Sequence, residues 1–112
     1  MKVCAAAILD ALDDAGIAPS EVDGFASYTM ETTDEVEIAA NVGAGDVTFF
    51  GQVGYGGGAG PGVVGHLAMA IATGAARNVV VWRAMNGRSG QRMGQGVSGQ
   101  IISSDVIHWS WY

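Results

Sequence analysis

The feature that most constrains this sequence is a helix that is apolar on every side. Pro61 and Gly74 delimit a predicted helix over Val63–Thr73, whose large apolar residues leave no polar face: Val63, Val64, Leu67, Met69 and Ile71. Such a helix has to be buried on all sides. A chain of 112 residues can hardly bury it alone. We therefore expect a fragment, or a chain completed by a partner; the alternative is a small domain with an apolar tail.

Charge is distributed unevenly along the chain. Ten of the 11 acidic residues lie at or before Asp46, whereas Val47–Ser104 contains no acid and four arginines: Arg77, Arg83, Arg88 and Arg92. An arginine-bearing, glycine-rich, acid-free stretch suits an anionic ligand or an acidic neighbouring surface. Pairing of these arginines with acids of the first part of the chain is an equally good interpretation. The net charge of −6 argues against nucleic-acid binding.

The single cysteine, Cys4, excludes an intrachain disulfide and fits a cytoplasmic location. The apolar residues after Lys2 are soon interrupted by Asp10 and Asp13, so no signal peptide is predicted. A membrane span is not expected either, because no apolar run reaches about 18 residues.

Helices and strands alternate along the sequence, which predicts an α/β fold. Asp34 or Thr33 can cap the second helix, and Gly16 and Gly43 can end the first and second. The predicted elements are a helix over Cys4–Ala15, a strand over Val22–Tyr28, a helix over Glu35–Asn41, a strand over Val47–Val53, a glycine loop over Gly54–Gly62, the helix over Val63–Thr73, a strand over Val79–Arg83 and a loop over Met85–Gln100.

The glycine loop is the first candidate site, because it follows a strand and opens a helix. Free N–H groups at a helix N-terminus suit phosphates and oxyanions. Gly54, Gly56 and Ala59 match the spacing of a dinucleotide-binding loop, but the acid expected about 20 residues later is missing. Glycine used for tight helix packing is the main alternative.

Other reactive side chains give weaker signals. Cys4 has alanine neighbours and is predicted to be a packed structural cysteine rather than a nucleophile. His66 lies within the apolar helix, where a hydrogen-bonded core histidine is the commoner outcome, and His108 lies among aromatic residues. No second ligand stands at a useful spacing, so a metal site is not expected. Arg83, Arg88 and Arg92 can bind phosphate groups or lie in a solvated loop.

Three segments together resemble the thiolase superfamily. "AAAILDALDDAGIAPSEVDGF" is similar to its early helix, turn and strand. "GGGAGPGVVGHLAMAIATGAARNVVVWRAMNGRSGQRMG" is similar to its nucleophile helix and the strand after it. This segment and "GQRMGQGVSGQIISSDVIHWSWY" most resemble the thiolase-like branch, often named lipid-transfer proteins, that acts as retro-aldolases in bacterial steroid side-chain degradation.

The resemblance implies the N-terminal half of a layered αβαβα fold, with a mixed sheet and a buried central helix. Residues 1–84 would be a partial N-terminal domain, without the strand that should precede Met1, and 85–112 the start of the loop region. Thiolases carry their acylated cysteine in the region that matches Gly57–Ala59, where this chain has none. A cysteine-dependent thiolase is therefore disfavoured, and carbon–carbon cleavage of a CoA thioester is expected.

We carry over no catalytic residue, because the family's catalytic groups lie in the later half of the protein. The residues expected to bind the acyl-CoA substrate are Gly57, Gly58, Ala59, Gly60, Arg88 and Arg92. No cofactor is expected beyond the CoA moiety of the substrate. Expected partners are a second copy, through Thr48–Val53, and a second subunit of OB-fold type. The chain alone is expected to be inactive, and the alternative function is a non-catalytic subunit that completes a thiolase-like partner.

Overall fold

The computed structural model describes residues 2–28, 31, 33–54 and 58–84 and shows the predicted alternation of helices and strands. Its order confirms the α/β fold class. The elements are α1 (Lys2–Ala15), a 3₁₀ turn (Pro19–Glu21), β1 (Gly24–Tyr28), α2 (Glu35–Val42), β2 (Phe49–Val53), α3 (Ala59–Ala72) and β3 (Val79–Trp82). The predicted loop over Met85–Gln100 and the final residues 101–112 lie outside the described residues.

The three described strands form a parallel sheet in the order β2-β1-β3. Phe25 of β1 is level with Phe50 of β2 and Val80 of β3. The mixed sheet that the resemblance implied is not seen among these strands, because both pairings in the described part of the chain are parallel. Parallel neighbours need crossover connections, which α2 and α3 supply.

The main core lies between α1, α2 and one face of the sheet. α1 directs Cys4, Ile8 and Leu12 inward at a spacing of four residues, which places them on one helical stripe. They pack with residues from α2, the sheet and the turn before β1: Val22, Phe25, Ile38, Val42 and Trp82. The rings of Phe25 and Trp82 meet edge to face, with centroids 5.9 Å apart.

The helix ends follow the capping residues in the sequence. Asp34 Oδ1 accepts hydrogen bonds from the N–H groups of Val36 (2.8 Å) and Glu37 (3.3 Å), so the predicted cap of α2 is confirmed. Gly16 and Gly43 follow α1 and α2 with φ of 68° and 75°, a left-handed conformation that glycine adopts readily.

Asp23 joins all three strands at their amino ends. Its backbone carbonyl accepts hydrogen bonds from the N–H groups of Thr48 (2.8 Å) and Phe49 (3.2 Å), at the start of β2. Its carboxylate accepts from the N–H groups of Arg77 and Asn78, both at 2.9 Å, directly before β3. One residue therefore sets the relative positions of the strands at this edge.

α3 packs on the opposite face of the sheet and corrects two predictions. It begins at Ala59, not at Val63, because the proline at its third position, Pro61, occupies a first-turn site where no N–H is needed. It is also not buried on all sides: Val64, Met69 and Ile71 are 60%, 57% and 51% exposed. Within the described residues, only the sheet covers this helix, so its outer face stays open.

Candidate functional site

The predicted glycine site lies where parallel strands end. β1, β2 and β3 finish at Tyr28, Val53 and Trp82, and α3 starts beside the ends of the first two. In open parallel sheets, ligands bind outside the carboxyl ends of the strands, where helix N-termini also gather. We call this region, made by Gly58–Gly60, Tyr28 and Arg83, the glycine edge.

The start of α3 presents backbone rather than side chains. Gly58 caps the helix without a side-chain hydrogen bond, and a Cβ added to it would meet no heavy atom of the described residues within 4 Å. Among the first-turn amides, Pro61 has no N–H and that of Gly62 bonds the Gly58 carbonyl at 2.8 Å. The N–H groups of Ala59 and Gly60 precede the helical hydrogen-bond ladder and mark the positive end of the helix dipole.

Tyr28, at the end of β1, and Arg83, directly after β3, make up the part of the glycine edge that belongs to the sheet. The Arg83 guanidinium carbon lies 5.5 Å from the centre of the Tyr28 ring, which is a cation–π distance. The same ring borders α3, because a Cβ at Gly60 would lie 3.7 Å from Tyr28 Cε2. Sequence analysis named Arg83 but missed Tyr28; only the strand register, in which Ser27 faces Trp82, shows that Tyr28 and Arg83 are neighbours.

A second polar group lies at the same end of the sheet but on the α2 side. Ser27 is fully buried and donates a hydrogen bond to Glu35 (3.4 Å), while Gln52 donates to Ser27 (3.4 Å). Glu31 is 7% exposed and accepts hydrogen bonds from the N–H groups of Thr33 (2.8 Å) and Ala84. Sequence analysis missed these residues, because their spacing along the chain carries no recognisable motif.

Cys4 is far less suited to chemistry than to packing, as predicted. The thiol is buried on α1, on the other face of the sheet from α3. Burial raises its pKa, the charge of Glu31 raises it further, and the amino terminus only partly lowers it. A raised pKa disfavours the thiolate that a nucleophile requires.

The structure describes some of the remaining predicted site residues and not others. Gly58, Ala59 and Gly60 lie together at the start of α3. Gly57, Arg88 and Arg92 lie outside the described residues, as do Gly56 and His108. His66 is exposed on α3, so the expectation of a core histidine is wrong for this chain. Within the described ranges, no group of three or more His, Cys, Asp or Glu side chains could hold a metal ion.

A concave surface also lies on the α1 side of the sheet. An open groove of about 1050 Å³ runs between α1 and β3, where Ile8, Leu12 and Trp82 line it. The Trp82 indole N–H is buried and has no hydrogen-bond partner among the described residues. None of the helices described is both long and apolar enough to cross a membrane.

The chain is similar to two curated proteins over most of its length. It is 50% identical over 95 residues to the 17-hydroxy-3-oxo-4-pregnene-20-carboxyl-CoA lyase of Mycobacterium tuberculosis. The alignment covers 85% of this chain and 25% of that protein. It is 44% identical over 113 aligned positions to the steroid side-chain-cleaving aldolase of Thermomonospora curvata. This alignment covers 99% of this chain and 29% of that protein. The chain thus spans roughly a quarter of the length of each relative. No protein-family model matches it.

A solved structure gives the same result in three dimensions. The chain superimposes on the Ltp2-ChsH2(DUF35) aldolase with a TM-score of 0.78 and 43% sequence identity, over 98% of this chain and 27% of the other. The two curated relatives are thus a carboxyl-CoA lyase and a steroid side-chain-cleaving aldolase, and the solved neighbour is an aldolase.

Proposed function

We propose that this chain forms part of an acyl-CoA carbon–carbon lyase, a retro-aldolase that acts on CoA thioesters of steroid side chains. Two relatives with 44–50% identity carry that type of activity in their names, and the solved neighbour is an aldolase. The proposal includes a thiolase-like fold, with residues 1–84 as part of its N-terminal domain and 85–112 as the start of the loop region. The active protein is proposed to be cytoplasmic.

The name of the Mycobacterium tuberculosis relative defines the reaction that such a site has to support. A 17-hydroxy group next to a 20-carboxyl-CoA group is a β-hydroxy thioester. In a retro-aldol cleavage, a base removes the hydroxyl proton, the C–O bond becomes a carbonyl, and the bond to the α-carbon breaks. Its electron pair passes into the thioester as an enolate, which then takes up a proton. The group that needs stabilisation is the negative thioester oxygen.

The observation that supports this function is the glycine-rich start of α3, where Gly58 is exposed, Gly60 is half-buried and Ala59 is buried. Ala59 and Gly60 offer backbone N–H groups at the positive end of a 14-residue helix, beside Gly58, where no described side chain fills the space. Backbone donors fixed before the reaction stabilise a developing oxyanion without reorganisation. We propose that these amides bind the thioester oxygen, that Gly57 and Gly58 allow it to approach, and that Arg88 and Arg92 bind CoA phosphates.

The same geometry argues against acyl transfer to a cysteine. The region Gly57–Ala59, where the resemblance places the thiolase nucleophile, contains no cysteine, and Cys4 lies on the other face of the sheet. Incubation with acetyl-CoA should accordingly leave the Cys4 thiol unacylated, as mass spectrometry would show.

A second candidate function is a non-catalytic subunit that completes a thiolase-like partner. The open apolar face of α3 supports it, and the name of the solved neighbour joins two components. The partners proposed are a second copy, through Thr48–Val53, and a subunit of OB-fold type. A stop codon directly after Tyr112 beside a gene for a thiolase-like chain would favour this candidate, whereas a longer reading frame favours the lyase.

The test uses the complete product of the reading frame that contains this chain, called the complete protein below. Incubated with the β-hydroxy CoA thioester, it should release a ketone and a shortened acyl-CoA, measured by mass spectrometry. The variant Gly58→Leu should bind acyl-CoA about tenfold more weakly, a loss of about 1.4 kcal/mol, while its melting temperature is unchanged.

Gly58→Ala is the matched control, because the φ of −82° at Gly58 suits alanine and a methyl group leaves the site open. Its affinity should equal that of the unmodified protein. If Gly58→Leu also keeps full affinity and stability, the glycine edge is not the acyl-CoA site.

A further inference from the structure

Glu31 is a buried acid whose position is not explained by the core. Its side chain is 7% exposed, and burying a carboxylate is unfavourable unless hydrogen bonds replace its hydration. One carboxylate oxygen accepts from the Thr33 N–H at 2.8 Å, within the segment between β1 and α2. The other accepts from the Ala84 N–H, 53 residues later, just beyond the end of β3. Glu31 therefore fixes the point at which the chain leaves β3.

The Ala84 N–H belongs to the peptide unit that joins Ala84 to Arg83. A hydrogen bond to this N–H thus holds the main chain at Arg83 in place. The Arg83 guanidinium lies over the Tyr28 ring, and the ring edge borders Gly60 at the start of α3. These contacts form a continuous path from Glu31 to the glycine edge, through the backbone of Arg83 and then through its side chain.

The two ends of this path lie on opposite faces of the sheet. Trp82 points toward α1 and α2, so Arg83, the next residue, points toward α3. The Glu31 carboxylate lies close enough to Cys4 of α1 for its charge to raise the pKa of that thiol. The acid can therefore orient the Arg83 segment from the α1 side, while the cation is presented on the α3 side. An arginine has five N–H donors in a planar fork, a geometry that suits the binding of an anionic oxygen.

We infer that Glu31 is a positioning residue that holds Arg83 at the glycine edge, where Arg83 binds an oxygen of the acyl-CoA substrate that carries or develops negative charge. The inference rests on the proposed acyl-CoA function. This oxygen is either the thioester oxygen, which becomes negative in the enolate, or a CoA phosphate oxygen, and the choice of probes separates the two.

The experiment is a double-mutant cycle on the complete protein, with acetyl-CoA affinity and melting temperature as readouts. Arg83→Met keeps a long stem against Tyr28 but removes the charge, and it should lower affinity about tenfold. Glu31→Gln places an NH₂ group against one of the two N–H donors and should lower affinity to a similar extent. If Glu31 acts through Arg83, the double variant binds no more weakly than Arg83→Met alone.

Two controls separate positioning from general stability. Glu35→Gln changes a nearby acid that hydrogen-bonds Ser27 instead, and it should leave affinity unchanged. Arg83→Lys keeps the charge and should retain part of the affinity. A thioester without phosphates, S-acetyl-N-acetylcysteamine, should lose affinity with Arg83→Met if the thioester oxygen is bound, and be unaffected if a phosphate is bound.

Additive losses in the cycle, or a Glu31→Gln variant that only lowers the melting temperature, would overturn the positioning role. If Glu31→Gln does not fold, Arg83→Met decides, and full affinity in that variant overturns the inference. An unmodified protein that neither binds acetyl-CoA nor cleaves the β-hydroxy thioester refutes the proposed function itself, which is a different result from intact binding with insensitive variants.

Discussion

Two acidic residues hold opposite ends of β1 against β3. Asp23 precedes β1 and accepts hydrogen bonds from backbone N–H groups just before β3, while Glu31 follows β1 and accepts one just after β3. Each uses a charged acceptor for backbone donors, which is a stronger type of hydrogen bond than a neutral one. Asp23 lies at the amino edge, away from the glycine edge, so its role is structural.

Replacing Asp23 by alanine should destabilise the protein by about 1–2 kcal/mol, because two backbone donors lose a charged acceptor that is partly exposed to solvent. Urea unfolding at neutral pH measures this loss. The matched control is Asp10→Ala, which removes an exposed carboxylate from α1 and should change stability little. Equal stability of the Asp23 variant and the unmodified protein would show that these hydrogen bonds contribute nothing.

The same contacts give a pH dependence. Burial raises the pKa of Asp23, but hydrogen bonds from Asn78 and Arg77 outweigh it and lower the pKa overall. Since the folded pKa is below the unfolded value of about 3.9, the stabilisation is fully present above that pH and is lost as pH falls through the folded pKa. Stability measured between neutral pH and pH 3 should therefore fall less in Asp23→Ala than in the unmodified protein.

At the scale of single elements, β2 and α3 both leave large apolar side chains exposed to solvent. β2 is an edge strand of the described sheet, and Phe50 on it is 51% exposed. An open edge with an exposed aromatic side chain is a typical site of strand pairing between chains. Contact of Thr48–Val53 with a second copy therefore stays a prediction, and the open edge of β2 supports it.

Phe50→Lys should convert a dimer of the complete protein to monomers, because a lysine on the edge strand opposes pairing with another copy. Sedimentation velocity measures the change. Val36→Lys is the matched control, since Val36 is also apolar and exposed but lies on α2. A protein that is monomeric before substitution, or a Phe50→Lys variant that stays dimeric, contradicts the prediction.

At the scale of the whole molecule, two surfaces of this chain need a cover. One is the outer face of α3, with Val64, Met69 and Ile71, and the other is the groove between α1 and β3. The two curated relatives are more than three times as long as this chain, which is long enough to bury both. We therefore predict that the apolar face of α3 is buried in the complete protein, in agreement with the original expectation of a buried helix.

Oxidation of Met69 by hydrogen peroxide tests this prediction, because sulfoxide formation follows exposure of the side chain. The rate should be several-fold lower in the complete protein than in the 112-residue chain. The same measurement in denaturant supplies the intrinsic rate for comparison. Equal rates in the complete protein and the chain would mean that α3 keeps an open face, which would favour the view of a small domain with an apolar surface.

Local chemistry was sufficient to predict the elements. Asp34 at the start of α2, and Gly16 and Gly43 after the first two helices, act over one helical turn, so their roles depend only on neighbouring residues. The order of helices and strands followed from hydrophobic spacing in the same way. The start of α3 was misplaced by four residues because glycine and proline usually indicate a loop, whereas a first turn needs few N–H groups.

Contacts between distant residues could be found only in the tertiary structure. The sequence determined the glycine-rich entry to α3 and the absence of a cysteine in Gly57–Ala59, since both are facts of residue order. Strand register brought Tyr28 beside Arg83, and a buried carboxylate linked Glu31 to Ala84, 53 positions away. The exposure of His66 and of the α3 face was likewise decided by what packs against the helix, because burial depends on neighbouring elements and not on a residue's own polarity.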